Sequence, residues 1–251
     1  MSGTVYLVGA GPGAADLLTL RAARLLGEAN VVFHDALVSD AILELASRAE
    51  KIPVGKRCGR HSTAQRFINK RLADAARVHK TVVRLKGGDP MLFGRAHEEI
   101  EYLRSQRIRV EVVPGVTAAL AASADLVTSL TRRGMARTVV FATPRAAPGE
   151  APNEWIPSVL AADTAAIYMG AGDALVISES LMAAGKAPGT PVAVIENASR
   201  EDARALYGTL RELPALAAQL GAGPAVMLLG EVLAEAAAAA RQATPRRAQA
   251  R

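Results

Sequence analysis

The chain has 251 residues, half of them hydrophobic and 4% aromatic, enough to bury the core of one large domain or two modest ones. Its net charge of +6 falls to +2 once the four arginines of the terminal stretch 241–251 are set aside; with few aromatics for base stacking, this argues against nucleic acid as a partner and reads the tail as a basic, disordered end. A lone cysteine (Cys58), no run of ~20 apolar residues and no basic signal-peptide region argue against an intrachain disulfide, a membrane span and export, so a cytoplasmic protein is expected.

Thr4 to Val8 reads as a strand, broken by Gly9-Ala10-Gly11-Pro12-Gly13. Asp16 is placed to cap an amphipathic helix carrying Leu17, Leu18, Leu20, Leu25 and Leu26, and Val31-Val32-Phe33 is a second strand ending at His34-Asp35. Strand, glycine loop, helix and strand open a parallel α/β sheet. Gly9, Gly11 and Ala14 fit the G-x-G-x-x-G/A dinucleotide fingerprint, with Asp35 where a ribose-binding acid would follow. Pro12 counts against it, because proline removes a backbone N–H from a loop that would hold a pyrophosphate. A nicotinamide or flavin enzyme stays open at this point.

Ser39 to Ala46 predicts a short helix, and Lys51 to Val54 another apolar run. Gly55-Lys56-Arg57-Cys58-Gly59-Arg60-His61 is a glycine-punctuated basic loop, either solvated or facing an anionic ligand. Ser62 and Gln65 have capping-box spacing for a helix to about Val78. A buried strand, Val82-Val83-Arg84-Leu85-Lys86, then stops abruptly at Gly87-Gly88-Asp89-Pro90 before helical spacing resumes from Arg95 to Leu103. Two glycines at a strand's carboxyl end let backbone approach a ligand where α/β sheets bind small molecules, although a plain tight turn accounts equally well for these four residues.

Arg109 to Val113 is a further strand, and Pro114-Gly115-Val116-Thr117 turns into an Ala-rich helix. The irregular stretch Ser129-Leu130-Thr131-Arg132-Arg133-Gly134 places a domain junction between residues 132 and 133, dividing an N-terminal domain (1–132) from a C-terminal one (133–240). In the second half, Thr138–Thr143, Thr164–Met169, Pro191–Asn197, Leu206–Leu210 and Pro224–Gly230 read as strands, with helices over Ala174–Ala184 and Arg211–Leu220. Successive strands around Ile195 and Leu206 suggest an antiparallel pair, so the second sheet is expected to be mixed and the first mostly parallel. The histidines (His34, His61, His79 and His97) lack ligand spacing, so no metal is expected. No G-x-S-x-G elbow or complete P-loop occurs.

These motifs together resemble the tetrapyrrole methylases, S-adenosylmethionine-dependent enzymes whose two α/β domains enclose a cleft. The resemblance runs through Val8-Gly9-Ala10-Gly11-Pro12-Gly13, Asp35-Ala36-Leu37-Val38-Ser39, the Gly55–His61 loop, Arg84 to Arg95, Val113-Pro114-Gly115-Val116-Thr117, Tyr168-Met169-Gly170 and Gly223-Pro224-Ala225. The second and third look most like members that methylate uroporphyrinogen III at C2 and C7 to give precorrin-2, toward sirohaem and cobalamin. The resemblance implies cofactor contacts from Pro12, Gly87, Gly88, Asp89, Leu92, Thr117, Ala118, Met169 and Ala198. It implies proton-transfer roles for Asp35 and Lys56, and places Arg95, Glu98 and Arg133 near the tetrapyrrole. An ordinary arginine stays protonated, so a carboxylate, Asp35 or Glu98, is favoured for any deprotonation. Family members are commonly homodimers. Departures occur at Ser129, Arg132, Thr143-Pro144-Arg145 and Ala96-His97, while Arg133 is kept. Rival readings are a methyltransferase acting on a later cobalamin precursor, an NAD-dependent oxidoreductase and a catalytically dead binding protein.

Overall fold

The computed structural model describes residues 2–54, 65–146 and 154–243, which fall into two compact units, Met1–Ala118 and Ala119–Arg251. In the first, β1 (Thr4–Gly9), β2 (Val31–His34), β3 (Glu50–Pro53), β4 (Thr81–Lys86) and β5 (Arg109–Val113) form one sheet in the order β3-β2-β4-β1-β5. Every pairing in it is parallel. Parallel sheets need both faces covered, and the strand sequences supply apolar side chains to both. Val5, Leu7, Val31, Phe33 and Val82 pack with Ile68 and Leu72 of α3 (Gln65–Val78) and Leu103 of α4 (Ala96–Ser105). Val8, Val32, Val83 and Leu85 face Leu25 and Leu26 of α1 (Leu20–Glu28) and Ile42 of α2 (Asp40–Glu44).

The start of α1 differs from the expectation. Residues Ala15–Leu17 make a single 3-10 turn, and the side chain of Thr19, not Asp16, accepts the cap bond from the Ala22 N–H (3.1 Å). The leucine spacing was read three residues too early because the 3-10 turn continues the apolar pattern.

The second unit opens with most of α5 (Ala118–Asp125) and holds β6 (Val139–Ala142), β7 (Thr164–Tyr168), β8 (Pro191–Glu196), β9 (Arg204–Thr209) and β10 (Ala225–Gly230). Their order is β6-β7-β10-β8-β9, with β6 and β7 parallel and every other pair antiparallel. The mixed sheet and the β8–β9 pair match the sequence reading. One face packs Ile167, Val194 and Met227 against Val159 of α6 (Trp155–Ala161), Ile177 and Leu181 of α7 (Ala174–Ala183), and Leu213 and Leu216 of α8 (Leu213–Ala217). On the C-terminal side α9 (Ala234–Ala243) lies against β8 and β9. The first three residues of the expected disordered tail therefore close a helix, and residues 244–251 lie outside the described residues. No helix among the described residues is long and apolar enough to cross a membrane.

Candidate functional site

Three glycine loops of the first unit leave the carboxyl ends of neighbouring strands and pack on one another. The β1 loop pairs with the β4 loop through two backbone bonds, Gly88 N–H to Gly11 carbonyl (2.7 Å) and Gly11 N–H to Gly88 carbonyl (3.2 Å). A side chain on Gly9 would put its Cβ 2.6 Å from the Gly115 Cα, and one on Gly115 would strike the Gly88 carbonyl at 2.4 Å. Only glycine allows this approach. Gly11 and Gly88 also take φ of +70° and +68°. Asp89 stitches the β4 and β5 loops together: Oδ2 accepts from Gly115 N–H (2.9 Å) and Oδ1 from Met91 N–H (2.8 Å). Around the Cβ position of Gly88, only the Thr117 Cα comes close, at 3.9 Å. Pro12 and Leu92 sit half-buried on these loops, while Thr117 is buried and Ala118 opens α5. The structure thus brings Pro12, Gly87, Gly88, Asp89, Leu92 and Thr117 to one edge of the first sheet.

This geometry separates the loop from a dinucleotide fingerprint. There the glycines sit at the N-terminus of the following helix, which receives the pyrophosphate. Here α1 begins at Leu20, well past the glycines, and β4 rather than β1 lies beside β2.

The same edge carries a buried ionic network that the sequence reading missed. Arg84 and Lys86 alternate on one face of β4, and their only slightly exposed side chains meet Glu99 of α4, which is fully buried. Lys86 Nζ reaches both Glu99 oxygens (3.2 and 3.1 Å), and Gln65 of α3 donates to Oε1 (3.1 Å). Arg84 donates through Nε to Glu99 (3.1 Å), through Nη1 to the Leu85 and Phe33 carbonyls (3.2 and 3.4 Å), and through Nη2 to Oδ1 of Asp35. Burial works against the Arg84 charge, but Asp35 and Glu99 outweigh it and hold the guanidinium pKa above its ordinary value. For Lys86, burial and then Arg84 prevail over Glu99, so its pKa is lowered. The signal was present in the sequence: two cations at alternate positions of an otherwise apolar strand require buried anionic partners.

Asp35 follows β2 and its backbone N–H bonds the Leu85 carbonyl (3.2 Å). Four residues on, the Ser39 hydroxyl donates to the Gly13 carbonyl (3.1 Å), tying this motif to the first glycine loop. Arg95 and Glu98 pair with each other: Nε and Nη2 reach the two Glu98 oxygens at 2.6 and 2.8 Å. Bonding to Arg95, which outweighs the effect of burial, keeps the Glu98 carboxyl below its ordinary value. Arg95 adopts φ +56° where α4 begins. Lys56, and with it the basic loop and Ser62, lies outside the described residues.

In the second unit, register places the ends of β7 and β8 beside the start of β10, with Tyr168 opposite Val226 and Glu196 opposite Ala225. Met169, Asn197 and Ser199 all take left-handed φ just beyond those strand ends, and buried Ala198 lies between the last two. The Asn197 N–H bonds the Pro224 carbonyl (2.9 Å), so Tyr168-Met169-Gly170 and Gly223-Pro224-Ala225 meet at one end of the sheet. Arg133 is exposed in the turn closed by the Arg132–Ala136 bridge. Among the described residues no three His, Cys, Asp or Glu side chains cluster as a metal site.

A profile of the Tetrapyrrole (Corrin/Porphyrin) Methylases matches residues 4–214. The chain belongs to this family. It is 48% identical over 232 residues to siroheme synthase 1 of Cronobacter sakazakii, a match covering 92% of this chain and 49% of that protein. The chain spans about half the length of the curated relatives it matches. Its fold is similar to that of uroporphyrin-III C-methyl transferase from Thermus thermophilus complexed with S-adenosylhomocysteine (TM-score 0.82, 40% identity), covering 93% of this chain and all of that one. Cobalt precorrin-4 methyltransferase is similar at TM-score 0.80 and 28% identity, covering 92% and 95%. The parallel sheet with its glycine edge and the mixed second sheet are thus the two halves of a tetrapyrrole methylase.

Proposed function

We propose that the chain is an S-adenosylmethionine-dependent C-methyltransferase that methylates uroporphyrinogen III at C2 and C7 to give precorrin-2, within sirohaem or cobalamin biosynthesis. The observation that carries the reading is the packed edge of Gly9, Gly88 and Gly115, where backbone polar groups stand close and side chains are withheld. Such an edge suits a ligand recognised through main-chain groups, and it belongs to a chain 40% identical over nearly its whole length to a uroporphyrin-III methyl transferase. The lower identity to the precorrin-4 enzyme makes a later cobalamin precursor the second reading.

S-adenosylmethionine supplies a sulfonium methyl group, which an electron-rich pyrrole carbon attacks without help from a serine or cysteine nucleophile. The protein's task is then to position and to take up a proton. The donor contacts that the family resemblance implies, from Pro12, Gly87, Gly88, Asp89, Leu92, Thr117, Ala118, Met169 and Ala198, are kept as part of this proposal, with Asp89 also fixing the loops. Arg95 and Arg133 would meet substrate carboxylates. Of the two candidate carboxylates, Asp35 is favoured: one oxygen is tied to Arg84, while Oδ2 has no partner among the described residues. Both Glu98 oxygens are taken by Arg95. Lys56 is retained as the proposed proton donor. Residence in the cytoplasm, a homodimeric assembly and the absence of any metal requirement belong to the same proposal.

Titration calorimetry with S-adenosylhomocysteine, in the presence of a chelator, tests donor recognition. Saturable binding with one ligand per chain and no NAD binding is expected. NAD binding with no heat from S-adenosylhomocysteine would return the oxidoreductase reading.

A further inference from the structure

We propose that Arg84 is a positioning residue for the reaction, fixing the carboxylate of Asp35 with one oxygen held and the other presented; this rests on the functional reading above. The side chain of Arg84 is 4% exposed and that of Asp35 is 27% exposed, so the pair runs from the sheet interior to its edge. Burying a guanidinium within a sheet carries a desolvation cost, and apolar residues of similar volume often stabilise such sites better. A purely structural account also has little use for Arg84, because Glu99 already bonds Lys86 through both oxygens and Gln65 through one.

What Arg84 adds is orientation. Its Nε is held by Glu99 and its Nη1 by the Phe33 and Leu85 carbonyls, which sit on the two strands it spans. Those three anchors aim the remaining nitrogen, Nη2, at Oδ1 of Asp35. A planar fork anchored on two sides fixes its third contact in a way that a lysine on a flexible stem does not. Asp35 is held at the other end by its own N–H on the Leu85 carbonyl. Glu99 acts one step further back, by fixing Arg84.

A double-mutant cycle on methyl transfer separates positioning from general support of the fold. Asp35→Asn should lower kcat by about 10²-fold or more, as expected when a proton acceptor is lost. Arg84→Gln should lower it about 10- to 10²-fold with KM for the tetrapyrrole nearly unchanged, the size expected of misplacing a reacting group. The double variant should be no slower than Asp35→Asn, and S-adenosylhomocysteine should bind all three as it binds the parent. Arg84→Lys, which keeps the charge, carries the same cycle if the glutamine variant does not fold, and should recover only part of the rate. Losses that multiply in the double variant, or weakened S-adenosylhomocysteine binding that accounts for the rate, would overturn the assignment of Arg84. Absence of transfer in the unsubstituted chain would instead overturn the functional reading, and this one with it.

Discussion

Asp89 shows how a single residue can be seen in the sequence while its work is not. Gly-Gly-Asp-Pro was visible as a strand breaker, and a polar contact to the donor was a natural role for its carboxylate. Both oxygens also accept from backbone N–H groups, one of them on Gly115, 26 residues away. That partner is set by strand order, which local pattern does not encode. Asp89→Ala should therefore lower unfolding free energy by about 1.5–3 kcal/mol, the usual worth of hydrogen bonds to a charged group. Asp89→Asn should restore part of it. Chemical denaturation measures this directly; an alanine variant as stable as the parent but deficient in S-adenosylhomocysteine binding would leave direct donor contact as the work of Asp89. Arg84, Lys86 and Glu99 were within reach of the same reading, since strand alternation puts both cations on one buried face.

At the scale of elements, what was legible followed from periodicity. The β-branched runs located the strands, and the adjacency of the Ile195 and Leu206 runs foretold the β8–β9 pair, in which Ile195 now lies opposite Ala205. The short helix α6 escaped because Trp155 to Ala161 includes a proline and spans barely two turns. Helix α9 escaped because its alanine run shows no apolar–polar periodicity and its last three residues fall in the stretch read as tail. The β8–β9 pair also carries a test. Glu196 and Arg204 are register partners, and Arg204 reaches Glu196 Oε2 through Nε (3.1 Å) and Nη2 (2.6 Å). Arg204 lowers the Glu196 pKa despite burial, with help from Gly223 N–H, below the ordinary value of 4.5. A depressed carboxyl pKa contributes stability that is present above its unfolded value and lost as pH falls through the folded one. Thermal unfolding should thus be flat in this contribution above about pH 4.5 and fall below it, and Glu196→Gln should be less stable near neutrality with a shallower acid limb. Parallel curves for parent and variant would remove Glu196 from the acid transition.

For the whole molecule, the glycine motifs could be read one by one, but their meeting at one sheet edge follows only from the order β3-β2-β4-β1-β5. That order also decides between the two readings of the first loop, since a dinucleotide fold keeps β1 next to β2. The junction read from the irregular stretch near residues 132 and 133 remains a proposal, while the chain divides by compactness between Ala118 and Ala119, at the first residue of α5. That boundary falls one residue into α5, directly after the Pro114-Gly115-Val116-Thr117 turn. The match to about half of each siroheme synthase makes the chain's own activity the central question. Incubation with methyl-labelled S-adenosylmethionine and uroporphyrinogen III, followed by mass analysis of the tetrapyrrole, answers it most directly. Two methyl groups added per tetrapyrrole are predicted, whereas an unmethylated tetrapyrrole recovered with intact S-adenosylmethionine would contradict the account.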